Sequence, residues 1–153
     1  HRQLPRRSMR ALLVVVITLG LGCSEKNRTT DTRSTTIATA KQRASLLCAY
    51  ALCASSVKDA AFHVVFHDNS GSLLSGPDDS DIRAVVLVDK DDLEKWTRSC
   101  TPARVEARPD WLEEIAKGTT LMPKSAPDGY RCGAEQRAIH VKDGLIVRRV
   151  LTQ

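Results

Sequence analysis

The sequence predicts an α+β domain: a small, mainly antiparallel sheet of about four strands with about three helices packed on it. Two observations lead to this class. The predicted strands come in sequential pairs, and the helices lie outside those pairs, so the order is α-β-β-α-α-β-β and not a βαβ alternation. The length of 153 residues also suits one domain with a sizeable core. We therefore assign residues 39–153 to a single globular domain.

The first helix is predicted to begin after Thr39. Thr39 and Gln42 match a capping box, in which the threonine caps the helix and the glutamine reaches back. Apolar residues then recur at spacings of three and four, which predicts a helix over about residues 40–56 with one apolar face. That face consists of Leu46, Leu47, Tyr50, Cys53, Ala54 and Val57.

Two strands follow this helix. The segment 61–67 alternates, with Phe62, Val64 and Phe66 predicted on one face and the histidines on the other. The segment 82–88 contains four consecutive apolar residues, which favours a central strand buried on both faces. The residues 68–81 between them form a predicted loop.

The second half predicts two helices and a C-terminal hairpin. Asp89 is a candidate cap for a helix with Leu93, Trp96 and Cys100 on its inner side, and a further helix begins near Pro109. Residues 119–135 contain Pro and Gly and are predicted to be mostly loop. Asp143-Gly144 between two apolar runs, 138–142 and 145–151, is a strong hairpin signal.

The N-terminal residues have the pattern of a secretory signal. The apolar run 11–21 follows Arg6, Arg7 and Arg10. It is too short to span a membrane as a helix, which needs roughly 20 apolar residues, but it suits the apolar core of a signal peptide. The alternative, a buried element of the fold, is disfavoured by the charge asymmetry. We predict that residues 1–22 are a signal peptide and that Met9 is the true start.

The end of that run resembles the lipobox of bacterial lipoproteins, on the residues Leu19-Gly20-Leu21-Gly22-Cys23-Ser24. In that family the cysteine is lipidated and becomes the new N-terminus. The resemblance therefore implies lipidation at Cys23, attachment to the membrane of the bacterial cell envelope and, because Ser24 follows, sorting to the outer membrane. Gly20 departs from the family pattern, which usually has leucine three positions before the cysteine.

The charge of the mature chain differs from that of the whole sequence. Removal of Arg2, Arg6, Arg7 and Arg10 from the 23 basic residues leaves 19 against 18 acidic ones, a net charge of +1. We therefore expect no nucleic-acid partner, because such binding needs a strong positive field. Residues 23–38 are rich in Thr and Ser and are predicted to be a flexible tether between the lipid and the domain.

Four cysteines remain when Cys23 is assigned to the lipid: Cys48, Cys53, Cys100 and Cys132. An even number in an exported protein predicts two disulfides. If residues 40–56 are helical, the Cα atoms of Cys48 and Cys53 lie more than about 7 Å apart, so each should pair with Cys100 or Cys132. Free thiols, or a catalytic thiol assisted by His140 or a strand histidine, are the alternatives.

Other chemical motifs are weak. His63 and His67 are about 13 Å apart on a strand, too far to share a metal ion. Ser55 and Lys58 have the S-x-x-K spacing of some serine acyl enzymes, without the companion motifs. The aspartates 89, 91 and 92 are better explained by helix capping than by calcium binding. We predict neither a metal nor a cofactor.

Two classes of function remain. The segments FHVVFHDNSG and SDIRAVVLVD faintly resemble small bacterial envelope proteins, a resemblance that implies no activity. The first class is a non-catalytic binding module of inhibitor, immunity or accessory type with a protein partner in the envelope. The second is a small envelope hydrolase with an unrecognised active site. For the binding module, the candidate contact residues lie in loop 68–81, where carboxylates would attract a basic partner and two leucines would anchor it. They are Asp68, Leu73, Leu74, Asp78, Asp79 and Asp81.

Overall fold

The computed structural model describes residues 28–68 and 79–152. Within these ranges the chain forms one seven-stranded antiparallel sheet with the strand order β1-β2-β3-β7-β6-β5-β4. The strands are β1 (Arg28–Arg33), β2 (Asp59–Asp68), β3 (Asp79–Leu87), β4 (Thr101–Pro102), β5 (Asp128–Cys132), β6 (Glu135–His140) and β7 (Leu145–Thr152). The helices are α1 (Ala40–Tyr50), α2 (Asp110–Ala116) and the short 3₁₀-helices Ser34–Thr36 and Lys90–Trp96.

The predicted sheet of about four strands is wrong, although the α+β class fits. Of the three additional strands, β1 and β4 form the two edges of the sheet, and β5 lies between β4 and β6. Their sequences are polar or rich in Gly and Pro, so they carry none of the apolar alternation that marks a half-buried strand. An edge strand is stabilised by backbone pairing with its neighbour, which leaves no local pattern in its own sequence.

The segment predicted as a tether contains one of these strands. Residues 28–33 form β1, which pairs along β2 from Arg28 opposite Asp68 to Arg33 opposite His63. Ser34 is buried directly after it, and its hydroxyl oxygen accepts a 2.9 Å hydrogen bond from the backbone N–H of Phe62. Residues 28–36 therefore belong to the folded domain and not to a flexible linker.

The first helix begins as predicted but ends early. The Thr39 side chain accepts a hydrogen bond from the backbone N–H of Gln42, and the helix ends at Tyr50, with Ala51 already extended. The predicted apolar face over residues 46–57 is therefore only partly helical. Leu47 is fully buried, whereas Tyr50 is exposed.

This early end changes the disulfide pairing. The chain turns back after Tyr50, which brings the Cα atoms of Cys48 and Cys53 to 5.3 Å and allows a bond between them. The second disulfide joins Cys100 and Cys132. The structure thus has two disulfides, as predicted, but the long-range pairing expected for Cys48 and Cys53 is wrong because it assumed a helix through residue 56.

The two faces of the sheet carry separate cores. On one face, α1 and the 3₁₀-helix Lys90–Trp96 pack against the sheet, and the largest buried apolar side chains there are Trp96, Phe62 and Leu47. On the other face, α2 packs against β2 and β3. Its core contains Leu112, Ile115, Leu121, Val85 and Val147.

The predicted C-terminal hairpin is present. β6 and β7 pair from Glu135 opposite Val150 to His140 opposite Leu145, and residues 141–144 connect them. Gly144 has a φ of 69°, a left-handed conformation that glycine adopts without strain. In the described ranges we find no helix long and apolar enough to cross a membrane; the apolar run 11–21 lies outside them.

Candidate functional site

A buried cluster of charged side chains lies on the face of the sheet that also packs α1. Glu135 and Arg137 alternate along β6, so they share this face, and Arg148 of β7 is directly opposite Arg137. The carboxylate of Glu135 accepts two hydrogen bonds from Arg148, at 2.6 and 2.9 Å, and two from Arg137, at 2.8 and 3.0 Å. One carboxylate therefore holds two guanidinium groups side by side.

Trp96 covers this cluster. The guanidinium carbons of Arg137 and Arg148 lie 5.3 and 5.2 Å from the centroid of its ring, within the range of a cation–π interaction. The indole N–H of Trp96 donates a 2.8 Å hydrogen bond to the hydroxyl of Ser55. The tryptophan is fully buried, so it shields the charges from water on that side.

The cluster keeps its charges despite burial. Burial alone would raise the pKa of Glu135, but the hydrogen bonds from Arg137 and Arg148 outweigh it, and the pKa lies below its usual value. Burial lowers the pKa of Arg148, but an arginine remains protonated at neutral pH. The pair of arginines and the one carboxylate carry a net charge of +1.

Both disulfides lie beside the cluster. The sulfur of Cys53 is 3.9 Å from a guanidinium nitrogen of Arg148, and the sulfur of Cys100 is 3.7 Å from one of Arg137. Arg148 also donates to the backbone carbonyl of Leu52 at 3.1 Å. The short loop closed by Cys48 and Cys53 is therefore fixed to the sheet, while the Leu52 side chain is 87% exposed.

A groove of about 420 Å³ opens next to this loop, a volume within the range of ligand sites. One end of the sheet is where β1 and β3 begin and where β2 and β7 end, and we call this end the rim. The groove opens there, so we call it the rim groove. Its side walls are mostly apolar and its floor is the charged cluster. The lining residues are Tyr50, Ala51, Leu52, Ala54, Ser80, Ile82, Glu135, Arg137, Arg148, Val150 and Thr152.

The arrangement is suited to binding. Four donors from the two arginines saturate the Glu135 carboxylate, and further donors of the arginines go to the carbonyls of Leu52 and Trp96. The charged floor thus fixes the positions of the walls. The apolar walls, with the exposed Leu52 beside them, offer surface that gains free energy when a partner removes it from water.

The structure places the contact residues predicted in loop 68–81 in different regions. Asp68 ends β2 and Asp79 begins β3, so both lie at the rim beside the groove residue Ser80. Asp81 faces the opposite side of the sheet, where its carboxylate accepts hydrogen bonds from Arg83 and Arg149 at 2.9 to 3.3 Å. The remaining predicted contact residues, Leu73, Leu74 and Asp78, lie outside the described residues.

The weaker chemical motifs have ordinary partners. Ser55 accepts from Trp96 and donates to the Ser56 carbonyl, while Lys58 forms an ion pair with Asp89, so Ser55 and Lys58 do not act together. All four described cysteines are in disulfides, which removes the catalytic-thiol alternative.

The histidines predicted on the polar face of β2 also have partners. His63 lies 2.8 Å from Asp31 of β1, and His67 lies 2.9 Å from the hydroxyl of Thr29. His140 is buried and contacts the Ser125 carbonyl through Nδ1 at 2.7 Å. Over residues 28–68 and 79–152, no group of three or more His, Cys, Asp or Glu side chains is placed to hold a metal ion.

Sequence reasoning missed the charged cluster. A usable signal exists in and just before the predicted C-terminal hairpin, although Glu135 and Arg137 lie before its predicted first strand, 138–142. Arg148 interrupts the apolar run of β7 at a position that alternation places on an inner face, and Glu135 and Arg137 lie two apart near the opposing strand. Opposite charges at inward positions of paired strands indicate a buried ion pair, and an aromatic residue is a common cover for arginine.

Together the fold and the groove define a disulfide-bonded α+β domain with an apolar groove over a buried Arg–Glu–Arg cluster. In comparisons with known proteins, no family model, no curated protein and no solved structure matches this chain.

Proposed function

We propose that this protein is a lipid-anchored protein of the bacterial cell envelope that acts as a non-catalytic binding module through its rim groove. The observation that carries the binding role is Leu52. It is an 87% exposed leucine held on a rigid, disulfide-closed loop beside an apolar groove. Isolated exposed leucines are common, but one preorganised next to a groove is a suitable anchor for a partner, because little entropy is lost when it binds.

The anchoring part of the proposal rests on the signal-like N-terminus and on Cys23. The apolar run, the preceding arginines and the lipobox-like residues around the cysteine support lipidation there, and Ser24 supports the outer membrane as the destination. Intact mass of the membrane-extracted protein should correspond to a chain that begins at Cys23 and carries acyl chains. A Cys23→Ser protein should leave the membrane fraction; if it stays fully membrane-bound, the anchor is not at Cys23.

The binding part is tested with a matched pair of charge substitutions. Leu52→Asp places a carboxylate at the groove, whereas Val141→Asp places one on the connection at the other end of the sheet, where Val141 is 50% exposed. Both proteins should fold with unchanged thermal stability. Crosslinking in intact envelopes, with lipid and protein adducts both recorded, should yield adducts for the parent and for Val141→Asp that are lost in Leu52→Asp. Equal adducts in all three proteins would remove the groove as the contact surface.

Loop 68–81 is proposed as an extension of this surface, because Asp68 and Asp79 hold its ends at the rim beside the groove. Replacing Leu73, Leu74, Asp78 and Asp79 together should weaken the same crosslinks without changing thermal stability. Unchanged crosslinks would limit the contact surface to the groove. Hydrolytic turnover of an envelope substrate by the purified protein would instead favour the second class of function, a small envelope hydrolase.

A further inference from the structure

The position of β1 limits how far the domain can move from a lipid at Cys23. The described chain begins at Arg28, in a strand paired with β2. Only residues 24–27 separate Cys23 from that strand, and five residue steps span at most about 18 Å when fully extended. The predicted tether of residues 23–38 would have given the domain much more freedom, but residues 28–36 are folded.

The short link attaches to the rim. Arg28 is opposite Asp68, the last residue of β2, and the neighbouring β3 begins at Asp79. Neighbouring strands are about 4.8 Å apart, so β3 and β7 lie roughly 10 and 14 Å from β1 across the sheet. β3 and β7, two of the strands that line the rim groove, therefore lie within about 14 Å of the strand to which the link is joined, which is less than the link can span.

Three large apolar side chains in or near the groove are exposed. Leu52 is 87%, Leu151 45% and Tyr50 38% exposed. Leu52 and Tyr50 line the groove, and Leu151 lies on the other side of the sheet near the end of β7. Tyrosine and leucine together are typical of surfaces that rest in the interface of a bilayer, where an apolar body and a polar tip are both accommodated.

The opposite end of the sheet is far from the anchor. β7 runs eight residues from Leu145 to Thr152, which is about 25 Å at the usual rise of a strand. The connection 141–144 lies at that far end, with Val141 exposed. Leu52 lines the groove, with its carbonyl held by Arg148 in the middle of β7, whereas Val141 lies at the far end of the sheet. The two exposed positions 52 and 141 therefore lie at different distances from the rim.

We infer that the partner of the rim groove is the lipid surface itself: the sheet stands with its rim on the bilayer, and Leu52 and Tyr50 contact the interfacial region. This inference rests on the proposed anchor at Cys23. The described strand ends at the rim carry charges of both signs, Arg28 beside Asp68 and Asp79, so they provide no excess of positive charge to attract anionic headgroups. The contact is therefore apolar, and it should occur on zwitterionic membranes.

The test uses the lipidated full-length mature protein in vesicles of phosphatidylcholine and phosphatidylethanolamine that contain lipids with a spin label on the acyl chain. Tryptophan fluorescence is compared among the parent, Leu52→Trp and Val141→Trp. The parent supplies the background of Trp96, which is fully buried, and Trp111, which is partly buried. Both new tryptophans have the same intrinsic preference for membranes, so the comparison isolates position.

We expect the fluorescence of Leu52→Trp to be quenched several-fold more than that of Val141→Trp. Equal quenching at the two positions, stronger quenching at position 141, or quenching at neither would overturn the inference. Intact mass of the same samples reports acylation independently. An unacylated protein means that the proposed anchor has failed, whereas an acylated protein without preferential quenching means that the anchor is right and the groove does not rest on the lipid surface.

Discussion

Glu135 is the residue on which the buried cluster depends, because its carboxylate pairs with both Arg137 and Arg148. We predict that Glu135→Gln lowers the free energy of unfolding by about 3–5 kcal/mol, since Arg148, 1% exposed, would keep its charge without an anionic partner. Urea unfolding of the purified protein measures this loss.

The control for this variant is Glu106→Gln, which removes an exposed carboxylate. It should change the unfolding free energy by less than about 0.5 kcal/mol. If Glu135→Gln has an equally small effect, the arginines are neutralised or hydrated in another way, and the groove floor is not a closed ion cluster.

Asp143 is a second residue with a defined electrostatic role. Its carboxylate accepts hydrogen bonds from the backbone N–H of Ser125, the hydroxyl of Ser125 and the backbone N–H of Lys124, and these lower its pKa to about 2. Because the folded pKa is below the unfolded one, the stability that Asp143 contributes is present above about pH 4 and is lost as the pH falls from about 4 to 2.

We therefore predict that Asp143→Asn is less stable than the parent at pH 7, and that this difference shrinks as the pH approaches 2. Thermal unfolding at a series of pH values measures both. Asp128→Asn, at an exposed carboxylate of β5, is the control. A difference between Asp143→Asn and the parent that does not depend on pH would contradict the stated role of the carboxylate.

At the scale of elements, β1 and the turn after it decide whether the N-terminal region is a linker or part of the fold. Ser34→Ala would leave the buried backbone N–H of Phe62 without its 2.9 Å acceptor. We predict a loss of about 1–3 kcal/mol in the free energy of unfolding. Thr35→Ala, at the exposed neighbouring position, should have little effect. A flexible tether would tolerate both changes equally, so equal stabilities would contradict the pairing of β1 with β2.

The two disulfides constrain elements at different sequence separations. Cys48–Cys53 closes a separation of 5 residues at the end of α1, and Cys100–Cys132 closes one of 32 residues between β4 and β5. Loop-closure entropy predicts losses of about 2 kcal/mol for the first and about 4 kcal/mol for the second when each pair is replaced by serine.

Urea unfolding of the two double-serine proteins tests this order, after peptide mapping without reduction has verified the pairing. Mapping that links Cys48 or Cys53 to Cys100 or Cys132 would show that α1 does not end at Tyr50. Equal losses from the two replacements would mean that the stabilisation is set by packing beside Arg137 and Arg148 and not by loop length.

At the scale of the whole molecule, the proposed anchor at Cys23 and the proposed contact of the rim with the bilayer together imply that the length of the chain after Cys23 controls the orientation of the domain. We predict that ten Gly/Ser residues inserted after Ser24 reduce the quenching of Leu52→Trp toward that of Val141→Trp. Such an insertion adds a root-mean-square span of about 17 Å, which lowers the local concentration of the rim at the bilayer. The vesicle fluorescence measurement described above gives the result. Undiminished quenching would mean that the rim contacts alone hold the domain to the lipid.

Local sequence determined several features of this protein. Thr39 with Gln42 marks the start of α1, the alternation around Phe62 and Val64 marks β2, and Asp143-Gly144 marks the connection between β6 and β7. Each of these features depends on residues within a few positions of one another, so propensity, capping and turn chemistry are enough to predict them.

Only the tertiary structure decided the rest. β1 forms a strand because its backbone pairs with the edge of β2. Cys48 bonds Cys53 because the helix ends at Tyr50 and the chain then continues toward the start of β2. The charged cluster requires β6, β7 and the helix that carries Trp96 to meet on one face. These features depend on contacts between segments far apart in the chain, and their free energy comes from pairing and burial that no local window of the sequence contains.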